Sequence, residues 1–270
     1  MSKAYPLATS EAEVARLRMQ SELFREDAES MLDRIGVQPG WRCLDLCCGV
    51  GGITDLLSRR VGRSGEVIGL DADAWKLEVA RDWAKANLLG NVRFVEGDAF
   101  HTGLAPASFD LVHARFALGV IPSGVDMLGH AVSLVRPGGV VFLEEADIGT
   151  VMCVPGHVAW DRALEAITRV FDQIGADLEI GRKLFGLLRR AGLEDLQVCP
   201  CLHALRADQR VMQHIPNTLE AMRESVLSMG LMRGSEMDEV LTQLRKHLAE
   251  PDTLMISYVM IQVAGRVPGA

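Results

Sequence analysis

Trp41-Arg42-Cys43-Leu44-Asp45-Leu46-Cys47-Cys48-Gly49-Val50-Gly51-Gly52 decides how this chain folds. Gly36, Pro39 and Gly40 punctuate the sequence before it, and the mainly apolar run from Trp41 to Leu46 has the length and composition of a buried strand. The glycines that follow allow a backbone to approach a ligand closely and leave the amides of a helix N-terminus available to it. The stretch reads as a strand, a tight loop and the beginning of a helix.

Working outward, strand-like runs at Val67–Leu70, Val92–Val95, Phe109–His113 and Val140–Glu144 alternate with helical patterns at Ile53–Val61, Ala74–Asn87 and Val125–Val135. Such alternation predicts an α/β fold, a Rossmann-like, mostly parallel seven-stranded sheet with helices on both faces. Arg136-Pro137-Gly138-Gly139 is expected to stop the chain between the fourth crossover helix and the fifth strand. Upstream, Val14, Leu17, Leu23, Phe24, Met31, Leu32 and Ile35 fall at helical spacing and predict one or two helices. Downstream come amphipathic segments at Val158–Ile174 and Arg182–Ala191, a strand at Leu196–Leu205 and a last strand at Leu254–Val263. Between those strands lies a methionine-rich helical stretch from Asp208 to Glu250, far longer than a hairpin needs, which reads as an inserted cap.

At 270 residues the chain can bury one substantial core, and 49% hydrophobic with 24% charged residues is ordinary for a folded protein. The net charge of −8 argues against phosphate-backbone binding as the main activity, so no nucleic-acid partner is expected. No stretch has the length and apolarity of a membrane span or the pattern of a signal peptide, which gives the expectation of a cytoplasmic protein with no membrane partner. The six cysteines include Cys43, Cys47 and Cys48 around the first strand and Cys199 and Cys201 alternating in a later one. They lack paired CxxC spacing and nearby histidines, so buried thiols are expected and no metal.

Asp45-Leu46-Cys47-Cys48-Gly49-Val50-Gly51 resembles the Asp/Glu-x-Gly-x-Gly-x-Gly first motif of class I S-adenosylmethionine-dependent methyltransferases, with Cys47 in place of the first glycine. The resemblance implies that Asp45 holds the methionine amino end of the cofactor while Cys47, Gly49 and Gly51 line it. Val67-Ile68-Gly69-Leu70-Asp71 is an apolar strand ending in a carboxylate suited to two ribose hydroxyls, with Ala72 beside it. Phe94-Val95-Glu96-Gly97-Asp98-Ala99 resembles the family's third-strand end, which implies that Asp98 meets the adenine amine and the Ala99 amide meets the ring. Ser108–Arg115 resembles the fourth motif, and Leu134–Gly139 the turn before strand five. Arg16-Leu17-Arg18-Met19-Gln20-Ser21-Glu22-Leu23 resembles a segment that folds over the cofactor in bacterial small-molecule methyltransferases, with Gln20 as the contact. The expected organisation is an N-terminal helical lid over 1–36, an S-adenosylmethionine-binding core over 37–150, and a remainder over 151–270 that holds the last two strands and a cap at about 206–252.

Ligands of open α/β sheets sit outside the carboxyl ends of the strands, which brings His113, Arg115, Glu144, Glu145 and Asp147 to the relevant edge. His113 and Glu145 are the candidate catalytic residues, against the plainer reading of a satisfied strand-end histidine and a Glu145–Arg115 pair. Arg115 stays protonated and is expected to line the cofactor pocket. His157 and Trp160 after the fifth strand, with Met212 and His214 in the cap, are the candidate acceptor contacts, because methionine-rich caps fill irregular apolar surfaces. The expected activity is methyl transfer from S-adenosylmethionine to a small-molecule acceptor, a specialised metabolite, with carbon, oxygen and nitrogen acceptors all open and a homodimer left open. Two other readings stand beside it: a non-catalytic adenosyl-ligand sensor on the same fold, and an NAD-dependent oxidoreductase. Thr54 counts against the second, since it stands where a dinucleotide fingerprint takes Gly or Ala.

Overall fold

A computed structural model describes Pro6 and residues 10–269 of the chain. The other residues at the start of the expected N-terminal lid lie outside the described residues. In chain order the elements are α1 (Glu11–Leu23), α2 (Arg25–Ile35), β1 (Arg42–Leu46), α3 (Thr54–Val61), β2 (Glu66–Asp71), α4 (Ala74–Ala86), β3 (Val92–Glu96) and β4 (Phe109–Arg115). They continue with α5 (Met127–Leu134), β5 (Val135–Asp147), β6 (Met152–Val154), α6 (Val158–Ile174), α7 (Leu184–Arg190), β7 (Glu194–Cys201) and β8 (Ala204–Arg206). The chain ends through α8 (His214–Ala221), α9 (Arg223–Ser228), α10 (Gly234–His247), β9 (Leu254–Ile256) and β10 (Val259–Arg266). No helix among the described residues is long and apolar enough to cross a membrane.

Seven strands form one sheet in the order β3-β2-β1-β4-β5-β10-β7, in which β10 runs antiparallel to both neighbours and the other pairings are parallel. Alternation along each strand sends successive side chains to opposite faces. From β1, Leu44 and Leu46 join Leu143 and the α5 side chains Met127 and Leu134. Cys43 instead joins Phe142, with Met31 and Leu32 of α2 and Leu56 and Leu57 of α3. Both faces of the sheet are therefore covered, as parallel strands require.

A separate buried cluster holds α6, α8 and α10 together through Ile167, Val170, Ile215, Leu219, Met237 and Leu244. It stands beside a second sheet, β6-β9-β8, that the sequence pattern did not disclose. Two expected strands each prove to be a pair. Leu254–Val263 breaks at Ser257-Tyr258, where Ser257 Oγ accepts the His203 amide at 3.0 Å and the Ser257 amide donates to the His203 carbonyl at 2.9 Å. Leu196–Leu205 breaks opposite it, at Leu202-His203. Arg136–Gly139 is not the full stop that its Pro-Gly-Gly sequence suggests. Pairing begins at Val135 against Phe109 and resumes at Val140 against Leu111, so the four residues form an irregularity within β5.

The N-terminal helices are bound tightly to this body. Ser10 caps α1 by accepting the Glu13 amide, and Phe24 at the α1–α2 junction is fully buried. Its ring stacks on Tyr258 at a centroid separation of 5.6 Å and meets Phe116 edge-on at 6.2 Å. Phe24→Ala is expected to cost about 3–5 kcal/mol of folding stability by emptying this site. Urea unfolding of the purified variant measures it, and a loss below about 1 kcal/mol would show that the junction does not anchor the helices.

Candidate functional site

The loop after β1 is built from left-handed backbone. Cys47 (φ 58°), Gly49 (φ 54°) and Gly51 (φ 107°) all take positive φ, which costs a side-chain-bearing residue about 1–2 kcal/mol. Cys47 thus keeps the glycine conformation without being glycine. At Gly51 space is limiting as well, since a Cβ there would meet the Trp83 ring at 3.2 Å. The Asp71 carboxylate, at the end of β2, steadies the loop by accepting the amides of Gly49 at 2.8 Å and Asp73 at 3.0 Å.

Behind the loop a line of buried polar side chains crosses the strand ends. Thr54 Oγ1 donates to Asp45 Oδ2 at 2.8 Å, and Asp45 Oδ1 stands 2.8 Å from His113 Nδ1. His113 Nε2 stands 2.9 Å from Glu144 Oε1, and Gln262 Nε2 donates to Glu144 Oε2 at 2.8 Å. Both imidazole nitrogens face carboxylate oxygens, so only the doubly protonated ring satisfies both contacts. Burial alone would push the His113 pKa down, but its bonds to Asp45 and Glu144 outweigh that and hold it above the ordinary value. Burial likewise opposes ionisation of Glu144, yet the His113 bond and the Arg115 charge carry its pKa below the usual range.

A cavity of about 1540 Å³ opens in front of these groups, well above the roughly 300–1,000 Å³ of an ordinary small-molecule pocket. It joins the loop to the cap without interruption. Its lining includes every expected cofactor residue: Gln20, Asp45, Cys47, Gly49, Gly51, Asp71, Ala72, Asp98, Ala99 and Arg115. His113 and His214 also reach it. His113 arrives with both nitrogens already engaged, which leaves no lone pair to take a proton.

Four expected site residues do not reach the cavity. Glu145 is turned away beneath the 117–119 segment, where its carboxylate accepts the amides of Ala117 (2.8 Å), Leu118 (2.7 Å) and Gly119 (3.3 Å) rather than pairing with Arg115. Burial raises its pKa to about 7 against the pull of those amides. His157 caps α6 through the Ala159 amide and stacks on His247. Trp160 and Met212 are buried in the cap's own core, because large apolar side chains on its helices hold those helices to one another. The cap reaches the cavity instead through Ile167 and Phe171 of α6 and His214, Ile215 and Thr218 of α8.

The N-terminal helices close one side. Arg115 Nη2 donates to Ser21 Oγ at 2.7 Å, and Ser21 Oγ donates to the Gly52 carbonyl at 2.9 Å. Gln20 Nε2 donates to the Tyr258 hydroxyl at 2.8 Å. Arg115 Nη1 is buried and finds no hydrogen-bond partner among the described residues. A buried carboxylate at Asp45 and this incompletely paired guanidinium beside the glycine loop suit the ammonium and carboxylate of an amino-acid end, so the donor set fits S-adenosylmethionine.

The family described as "Methyltransferase domain" matches residues 43–139, from β1 to the irregularity of β5. Residues 43–139 carry a methyltransferase domain. A demethylmenaquinone methyltransferase of Geobacillus sp. (strain WCH70) is 38% identical to it over 117 residues, which are 43% of this chain and 50% of that protein. The chain spans about half the length of the curated relatives it matches. Among solved structures, a Bacillus halodurans C-125 protein assigned as a methyltransferase superposes with a TM-score of 0.61 at 18% identity, covering 89% of this chain and 98% of that one. A Haemonchus contortus phosphoethanolamine N-methyltransferase 2, solved with S-adenosylhomocysteine, gives 0.54 at 19%, covering 88% and 52%. These two likenesses establish the common methyltransferase fold.

Sequence reasoning missed Tyr258, Phe116 and the Glu144–Gln262 end of the buried line. Gln262 carries a signal, a lone amide in the apolar run Val259–Ala264, and Ser257-Tyr258 carries another, a polar break in the expected last strand. The His113 bridge gives the site a pH signature. Its folded pKa lies above the ordinary value of about 6.5, so its stabilisation is complete below that value and is lost as pH rises towards the folded one. The stability difference between wild type and His113→Gln is expected to shrink as pH rises from 6 to 9. Urea midpoints across that range test it, and a constant difference would mean that the ring is not held as a cation.

Proposed function

We propose that this protein transfers the methyl group of S-adenosylmethionine to a small, largely apolar acceptor enclosed between the glycine loop and the helical cap. The observation that carries the reading is one continuous cavity lined by Gly49, Gly51, Asp71 and Asp98 and also by Ile167, Phe171 and Ile215. It has room for a donor and an acceptor together.

In this reading Asp71 accepts hydrogen bonds from the ribose hydroxyls, Asp98 and the Ala99 amide meet adenine, Asp45 takes the ammonium and Arg115 the carboxylate. When bound, the cofactor supplies a methyl group on a sulfonium that is already a good leaving group. What remains for the protein is alignment and exclusion of water. Gln20 and Ser21 of α1 hold the lid side closed through Tyr258, Arg115 and Gly52. His113 acts as a positioning residue that fixes the Asp45 carboxylate, not as the base, because both of its nitrogens are occupied. The curated relatives are named for methylating a quinone, and a quinol ring is one acceptor that an enclosed apolar chamber suits.

Titration calorimetry with S-adenosylhomocysteine, followed by transfer of a labelled methyl group to a panel of apolar hydroxyl and amine acceptors, tests the proposal. Cofactor binding and a methylated product are expected, and a folded protein that binds neither the donor nor its product would end it. Asp71→Ala is expected to weaken S-adenosylhomocysteine binding by about 1–3 kcal/mol. Unchanged affinity would remove Asp71 from the ribose site.

A further inference from the structure

The cap end of the cavity is largely apolar, and its polar side chains include His214, Tyr258 and Thr218, whose hydroxyl donates to the His214 carbonyl at 2.9 Å. Phe116, Ile121, Ile148, Ile167, Phe171 and Leu178 supply the apolar lining. His214 is 7% exposed, and its Nδ1 finds no hydrogen-bond partner among the described residues. Leaving such a group buried and unpaired costs about 1–3 kcal/mol. Burial, reinforced by the charge of Arg16, pushes its pKa down to about 3, so the ring is neutral and carries both a donor and an acceptor. Tyr258 stands beside it, ring centroids 6.1 Å apart and edge-on. The phenol oxygen already accepts from Gln20, which leaves its own proton to donate. Burial raises its pKa to about 12, so that proton stays in place.

We propose that His214 and Tyr258 together grip one hydroxyl oxygen of the methyl acceptor, an apolar ring compound of the phenol type, and that they select against ammonium-bearing acceptors. This rests on the cofactor reading above and names the substrate class of the same cavity. A hydroxyl is complementary to the pair because it can accept from the Tyr258 proton and donate to the imidazole. An ammonium offers no lone pair to the Tyr258 proton, so it would leave that buried donor unpaired. The apolar walls then carry the ring, and the two polar groups set which of its edges faces the donor.

The test uses the full chain saturated with S-adenosylhomocysteine, with 2-naphthol and 2-naphthylmethylammonium as probes in calorimetry. The naphthol is expected to bind at least tenfold more tightly than the ammonium. His214→Phe and Tyr258→Phe should each weaken naphthol binding about tenfold, while His214→Gln, which keeps a hydrogen-bonding head, should recover part of the loss. Because the phenylalanine removes an unpaired buried nitrogen, the His214→Phe protein is expected to melt at the wild-type temperature or above it, and S-adenosylhomocysteine should bind it unchanged. Equal affinity of His214→Phe and wild type for naphthol, no naphthol binding by wild type, or a preference for the ammonium would each overturn the pair as the acceptor grip. Failure of S-adenosylhomocysteine to bind the wild-type protein would instead overturn the cofactor reading on which it rests.

Discussion

His113 between two carboxylates is the contact on which the site depends. Asp45 of β1 and Glu144 of β5 are both almost wholly buried, on the two strands that flank β4, where carboxylates without a counter-charge are costly. One shared imidazolium joins them, with Thr54 and Gln262 completing the oxygens at either end. Buried ion pairs of this kind seldom add net stability compared with well-packed apolar residues, so their contribution is better measured in geometry. Here the geometry is that of β1, β4, β5 and β10 held at their ends, with a carboxylate fixed at the root of the glycine loop.

Around that anchor the electrostatics divide into regions. Near the loop, charge is plentiful: Asp71 holds amides, and Arg115 bridges to the N-terminal helix through Ser21. Towards the cap the lining becomes apolar and the titratable groups are held neutral, His214 by low and Tyr258 by high pKa. In the proposed function, a charged donor and an uncharged acceptor would each meet an environment of matching polarity inside one cavity. Gln20 and Phe24 link the two regions, the first through the Tyr258 hydroxyl and the second through its ring.

The alternation of strands and helices over residues 42–147 was legible because each buried parallel strand must be a compact apolar run, and each strand end in the cofactor region carries its chemistry locally. That Asp45, Asp71 and Asp98 line the cavity could be anticipated from their position after such runs. The cap was legible as an insertion but not in detail. Trp160 and Met212 have the right composition for an acceptor wall, yet helices that do not pack on the main sheet bury their largest apolar side chains against one another and the small β6-β9-β8 sheet. Glu145 failed for a different reason. Neighbours on a strand point to opposite faces, so Glu144 and Glu145 could not both serve one site, and nothing local in the sequence says which is which. Tyr258 and Gln262 are far from the cofactor loop in sequence, and only the antiparallel pairing of β10 with β5 brings them to it.

The division of the cavity wall along the chain has a consequence for descent. The loop, Asp71 and Asp98 fall within residues 43–139, the segment shared with the family, whereas Ile167, Phe171, His214, Ile215 and Thr218 lie beyond it. In the proposed function, substitutions in α6 and α8 would remodel part of the acceptor wall without touching Gly49, Gly51, Asp71 or Asp98. A lineage built this way can diversify its products by drift in two helices, and a laboratory seeking a new acceptor has the same two helices to vary.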